Sequence, residues 1–283
     1  MCPMQQSLRI TQIPSRKELQ ELVEICGTGD FHEEVLYFKS QLEKSGYSPR
    51  TILNYGTDLE LIFKDPALAF ANKSPATQAR RLEALRKWCK LRDISFDISM
   101  PRVPKRLPRP LKAEELAKLF VLAHQEADPR IPAAVALMGH GGLRISEVIA
   151  MKLGDVDLKG ELITIRQSKG RKDRVIPIPK SARKLLATVV FLAKNSGTKP
   201  SDPLFPFSVE TLRRKLNLLA KKAEIPEFTT HRLRHTAATR MIQKGVPIAH
   251  VSVALGHDDP ATTMKYVKVS AEDLIGSFKK LEI

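Results

Sequence analysis

Four short stretches in the second half of the chain carry side chains whose types and spacing could do chemistry on an anion. Gly141-Gly-Leu-Arg-Ile-Ser-Glu147 is a glycine turn feeding a helix whose first turn presents Arg144. Ser168-Lys-Gly-Arg-Lys-Asp173 is a basic turn carrying Lys169. His231-Arg-Leu-Arg234 puts an imidazole and a guanidinium three residues apart, hence on one helix face. Leu255-Gly-His257 is followed nine residues on by Tyr266. A guanidinium grips two oxygens at once and stays protonated at any working pH. Imidazole and ammonium groups move protons, and a phenol can attack as a nucleophile. Each stretch alone also has an ordinary reading: arginine as a solvated charge, tyrosine as core packing, the His-x-x-Arg spacing as chance.

Rival chemistries lack their residues. A zinc site from His231 and His235 would need a third ligand or an HExxH pattern, and neither accompanies them. A two-metal nuclease would need clustered carboxylates, whereas Asp155 with Asp157 and Asp258 with Asp259 read as turn residues and helix caps. Gly139-His-Gly-Gly142 lacks the lysine that ends a nucleotide phosphate loop. His32, His124, His140, His235 and His250 read as structural, His235 making a packing hydrogen bond beside the helix face of His231. Cys2, Cys26 and Cys89 are odd in number and lack CxxC spacing, which fits free thiols in a reducing cytoplasm. No metal and no cofactor is expected.

The elements that must position these groups are punctuated clearly. Ser15 and Glu18 form a capping box for a short leading helix with Leu19, Leu22 and Val23. Val35, Leu36, Phe38 and Leu42 repeat at helical spacing until Gly46. Ser48-Pro49 and Ser74-Pro75 each read as an N-cap followed by the first helical residue. The first lobe therefore reads as all-helical. Residues 101–110, with four prolines and four basic residues, read as an extended, semi-stiff connector. Beyond it a helix is expected from about Ala113, then two strands, Glu161–Arg166 and Arg174–Ile178, joined by the basic turn. Further helices begin near Ser181, Ser208 and Arg232. Gly245 ends one and Pro247 opens the next; Gly256 ends that one, and Asp259-Pro260 opens the helix of Tyr266.

Charge points to the partner. The 283 residues hold 47 Lys and Arg against 31 Asp and Glu, a formal net charge of +16. Residues 1–36 carry 3 basic and 6 acidic side chains, residues 37–109 carry 15 and 7, and residues 111–283 carry 29 and 18. Two basic lobes behind an acidic leader fit a protein that grips a polyanion from two sides, nucleic acid first and acidic lipid second. The apolar run 131–138 is far shorter than the roughly 18 residues of a membrane span, and no secretory leader is legible, so a cytoplasmic, nucleoid-associated protein is expected.

Taken in order, Arg144, Lys169, His231 with Arg234, His257 and Tyr266 resemble the tyrosine recombinase (integrase) family, in which Arg, Lys, His-x-x-Arg, a second His or Trp and a nucleophilic Tyr form the catalytic set. Tyr37–Phe63 is similar to that family's helical core-binding domain. The resemblance implies a mainly α fold with a small β-sheet or hairpin in the catalytic domain, arranged as a two-domain, C-shaped DNA clamp. It divides the chain into a leader helix (1–30), a core-binding domain (31–100), a basic Pro-rich linker (101–110), a catalytic domain (111–270) and a tail helix (271–283) that could dock in trans. It implies that Tyr266 attacks a phosphodiester to give a 3′-phosphotyrosyl intermediate, without metal or ATP. Arg144 and Arg234 would clamp the nonbridging oxygens, with His257 adding a hydrogen bond. Lys169 would protonate the departing 5′-oxygen, and His231 would accept the tyrosine proton or orient the phosphate. Glu147 is expected to buttress an arginine or the fold. Three departures are noted: Lys112 where Thr or Ser usually caps, His140 before the glycines, and Val267-Lys268 after the tyrosine.

Within the family, a leader of 30 residues is too short for the arm-binding domain of the large phage integrases. The two-domain plan is similar to the Xer recombinases, and to their single-protein archaeal version, which resolve chromosome dimers at a dif-type site. The implied partners are double-stranded DNA with inverted-repeat half-sites and three further copies of the chain, in a tetramer on paired sites; no membrane is implied. An integrase of a mobile element or plasmid is the alternative, followed by a type IB topoisomerase and an inactive DNA-binding protein.

Overall fold

In a computed structural model of the chain, residues 9–25, 29–103, 109–166 and 173–256 are described. The chain divides into two compact units, Met1–Lys105 and Arg106–Ile283.

The first unit is built from α1 (Arg16–Ile25), α2 (Phe31–Lys44), α3 (Pro49–Lys64), α4 (Pro66–Phe70) and α5 (Pro75–Leu91). Its caps are those the sequence announces. The Ser48 and Ser74 hydroxyls accept from the Thr51 and Thr77 amides, and Ser15 and Glu18 cap each other reciprocally. Asp65 ends α3 and, accepting from the Leu68 amide at 2.9 Å, also caps the short α4, an element the periodicity does not mark. Phe38, Leu59, Ile62, Phe63, Leu85 and Trp88 fill the core. Two carboxylates are buried there with partners. Glu34 receives Trp88 Nε1 at 2.6 Å and the Arg92 guanidinium, and Asp58 receives Arg80 through two bonds of 2.6 and 2.9 Å. The unit is not all-helical, because β1 (Arg9–Ile10) pairs in parallel with β2 (Ser95–Phe96). Two residues per strand are too few for any alternation to show in sequence.

The second unit wraps helices around one apolar rod. That rod is α7 (Arg130–Gly139), whose residues from Ile131 to Gly139 are all buried. A run this apolar lacks helical periodicity because every face is covered. It packs against α6 (Ala113–His124), α8 (Ile145–Ala150), α9 (Lys180–Asn195), α10 (Val209–Lys222) and α11 (Thr230–Gln243). A three-stranded antiparallel sheet lies at one side: β3 (Val156–Asp157), β4 (Leu162–Ile165) and β5 (Arg174–Pro177). The expected two-strand hairpin thus gains a third, short strand. Helix α12 (Ile248–Leu255) packs on α11 and β5 and stops at Gly256, which is left-handed at φ 61°. Lys112 offers α6 no side-chain cap, and the Glu115 carboxylate takes its amide at 2.8 Å instead. Among the described residues no helix is long and apolar enough to cross a membrane.

Candidate active site

Three elements bring charge together where α7 hands over to α8. At the end of α7 the chain turns through Gly141, where a Cβ would lie 2.7 Å from the Leu137 carbonyl, and Gly142, which sits at φ +74°. Both positions require glycine, the first for close backbone approach and the second for its dihedral. The turn delivers Arg144 at the N-cap of α8, one residue before the helical turn expected from sequence. Glu147 then folds back and takes the Arg144 amide at 2.8 Å and its Nη1 at 2.7 Å.

Glu147 is the hub. Arg174, the first residue of β5, forks onto both its oxygens at 3.1 and 3.0 Å, and Arg234 of α11 lies 3.8 Å away. Burial pushes the Glu147 carboxyl up, but the hydrogen bonds from Arg174 and the Arg144 amide, with the charges of both arginines, hold it below its ordinary value. Glu147 is therefore a carboxylate surrounded by three guanidinium groups, which leaves a local excess of two positive charges.

The same three arginines cap α12. Its last carbonyls have no helical partner. Ala254 accepts from Arg174 Nε at 2.9 Å, Leu255 from Arg234 Nη2 at 2.5 Å and Gly256 from Arg144 Nη2 at 3.4 Å. Arg234 also donates to the Gly142 carbonyl at 2.9 Å, tying α11 to the glycine turn. Cations at a helix C-terminus are favourable twice over, through hydrogen bonds and through the helix dipole. The side chain of Arg144 is 26% exposed, against 2% for Arg234, so an incoming anion meets Arg144 first.

His231, one turn before Arg234 on α11, is exposed, and its ring meets that of His235 edge to face at 4.6 Å. His235 thus has a ring contact with His231, where the sequence suggests a packing hydrogen bond. The structure brings Arg144, Arg234 and Glu147 together; Lys169, His257 and Tyr266 lie outside the described residues. Sequence reading places Arg174 at the start of a strand but gives it no part in the site. The available signal is that same place, since a strand fixes its side-chain direction as a turn does not.

Asp155 takes Arg166 Nε at 2.6 Å and the Lys152 amide at 3.0 Å, and Asp157 takes the Lys159 and Gly160 amides, so both carboxylates are structural. His140 bonds Ser181 Oγ through Nδ1 at 2.6 Å and stacks on Phe120; burial, then the charges of Arg240 and Lys244, lower its pKa. Cys89 is buried and forms no disulfide with any described residue. Among the described residues no three His, Cys, Asp or Glu side chains are grouped to hold a metal ion.

Comparison with known proteins places this architecture. Residues 109–273 match the phage integrase family. The chain is 32% identical over 281 residues to the tyrosine recombinase XerA of Thermococcus kodakarensis, covering 89% of this chain and 96% of that one. Among solved structures it is similar to a XerA recombinase, at 26% identity and a TM-score of 0.53, over 89% of this chain and 99% of that one. A XerH recombinase bound to a palindromic difH substrate in a post-cleavage complex shares the fold, with a TM-score of 0.64 at 20% identity, over 87% of this chain and 85% of that one. The chain belongs to the phage integrase family and is an Xer-like tyrosine recombinase.

Proposed function

We propose that this recombinase cuts and rejoins DNA through Tyr266 and acts at a dif-like site to resolve chromosome dimers. The phenol oxygen of Tyr266 forms a bond to the scissile phosphorus as the bond from phosphorus to the 5′-oxygen breaks. The tyrosine proton passes to His231, and Lys169 supplies a proton to the departing 5′-oxygen. Because a phenol, of pKa about 10, leaves more readily than an alkoxide, an incoming 5′-hydroxyl reverses the step with a new partner and no ATP is consumed. The observation that supports this reading best is the convergence of Arg144 and Arg234 around one carboxylate, with positive charge in excess. Negative charge building on the nonbridging oxygens is stabilised by such a preorganised pair.

The choice of dif-like DNA rests on likeness to XerA, at 32% identity over nearly the full length of both chains. A pseudo-symmetric site would be bound by two copies and a synapse of two sites by four, with the tail 271–283 docking between neighbours. The test is a suicide substrate, a duplex nicked beside the expected cleavage point so that a cut strand cannot be rejoined. The native chain should form a detergent-resistant adduct in excess EDTA, and Tyr266→Phe should bind equally and form none. An adduct from Tyr266→Phe would overturn the nucleophile, and loss of the native adduct in EDTA would overturn the metal-free mechanism. Recovery of bound DNA from the host genome distinguishes a lone chromosomal inverted repeat from the ends of a mobile element.

A further inference from the structure

We infer that Arg174 is a positioning residue of strand cleavage, which neutralises Glu147 and so leaves Arg144 and Arg234 available to the scissile phosphate. The inference rests on the proposed role of those two arginines. Every nitrogen of the Arg174 guanidinium is engaged by the protein: Nη1 and Nη2 on the two oxygens of Glu147, Nε on the Ala254 carbonyl. Its side chain is 6% exposed, so it is not a solvated surface charge. An arginine held this way acts on its neighbours.

What it does follows from the charges. Glu147 has two oxygens and three arginines around it. With Arg174 forked across both oxygens, the carboxylate charge is shared and two guanidinium charges remain for a phosphate. Without Arg174, Glu147 faces only Arg144 and Arg234 among the described residues. Its charge would then be satisfied by the groups that must grip the substrate, and each would have to be pulled from a buried carboxylate before it could bind an oxygen. Arg174 also joins three elements at one point. It starts β5, and it holds α8 through Glu147 and the end of α12 through Ala254. A fork on a carboxylate with a third bond to a carbonyl is geometry that lysine cannot reproduce.

The experiment is single-turnover cleavage of the nicked substrate by the full chain, with half-site binding and thermal melting measured alongside. Arg174→Gln should bind within about twofold of the native chain and cleave about 100-fold more slowly, the loss expected when catalytic groups are misplaced. Adding Glu147→Gln removes the charge that Arg174 offsets, and the double variant should recover about tenfold over Arg174→Gln, a coupling of ordinary size for side chains in contact. Arg174→Lys keeps the charge but not the fork, and should fall between native and Arg174→Gln; it carries the test if Arg174→Gln fails to fold. A purely structural role would give additive losses with no recovery. Native-rate cleavage by Arg174→Gln, or the absence of recovery in a folded double variant, overturns the inference. Arg144→Ala is the separate control. If it still cleaves, the reading of the site itself has failed, whereas an inactive Arg144→Ala beside a fully active Arg174→Gln overturns the inference alone.

Discussion

Arg144 and Arg234 each hold a backbone carbonyl of the α12 end while lying within ion-pair reach of Glu147, so their placement depends on shape as much as on charge. A lysine at either position keeps the charge but has one nitrogen where these contacts use two. Arg144→Lys and Arg234→Lys should each slow cleavage by about 10²–10³, the usual cost of removing a preorganised donor at a developing oxyanion. Half-site affinity should change far less. Quench-flow on the nicked duplex together with gel-shift titration measures both, and near-native cleavage by either variant would refute the clamp. The two should differ in stability. Arg234 is buried, and its loss leaves the Gly142 and Leu255 carbonyls without that donor, so Arg234→Lys should melt lower than Arg144→Lys.

At the scale of elements, the site joins four element ends, the exit of α7, the start of α8, the start of β5 and the close of α12, and α11 adds Arg234. Gly142 links α7 to α8 within it. Its φ of +74° disfavours any side chain, and a Cβ there would fall 2.6 Å from Leu255 Cδ2. The carbonyls of both Gly142 and Leu255 are held by Arg234, so a shift of either displaces that guanidinium. Gly142→Ala should therefore cost about 1–2 kcal/mol in stability from the left-handed conformation, before any clash. It should also depress cleavage more than its stability loss explains, because folded protein would still carry a displaced Arg234. Denaturant melts with single-turnover rates on the same preparation check this; a variant that is destabilised yet cleaves at the native rate would show the turn to be scaffold only.

Over the whole molecule, charge sets how DNA is held. A net charge of +16 is spread through both units while the first 36 residues are acidic, so binding should release counterions along a long footprint. If about six to ten phosphates are contacted, half-site affinity should fall by about 10³–10⁵ between roughly 50 and 200 mM salt. Fluorescence anisotropy across that range gives the slope of log affinity against log salt. A slope near zero would show that the basic surplus is not a DNA footprint.

What the sequence determined by itself is local. Ser48-Pro49 and Ser74-Pro75 fix helix starts because the hydroxyl and the amide it caps are three residues apart, and Gly245 and Gly256 fix helix ends because few other residues adopt their dihedrals. The ordered residue types from Arg144 to Tyr266 pointed to the family that the comparisons show. The tertiary structure decided what depends on distant chain segments. No spacing rule shows that Arg174 reaches Glu147 27 residues away, or that three arginines from three elements share the last carbonyls of α12. Nor could periodicity reveal α7 as a helix, since it is buried on all faces, or the two-residue pairing of Arg9–Ile10 with Ser95–Phe96. Caps and turns draw on neighbours along the chain, whereas a buried charge is placed by whichever partners the fold brings to it.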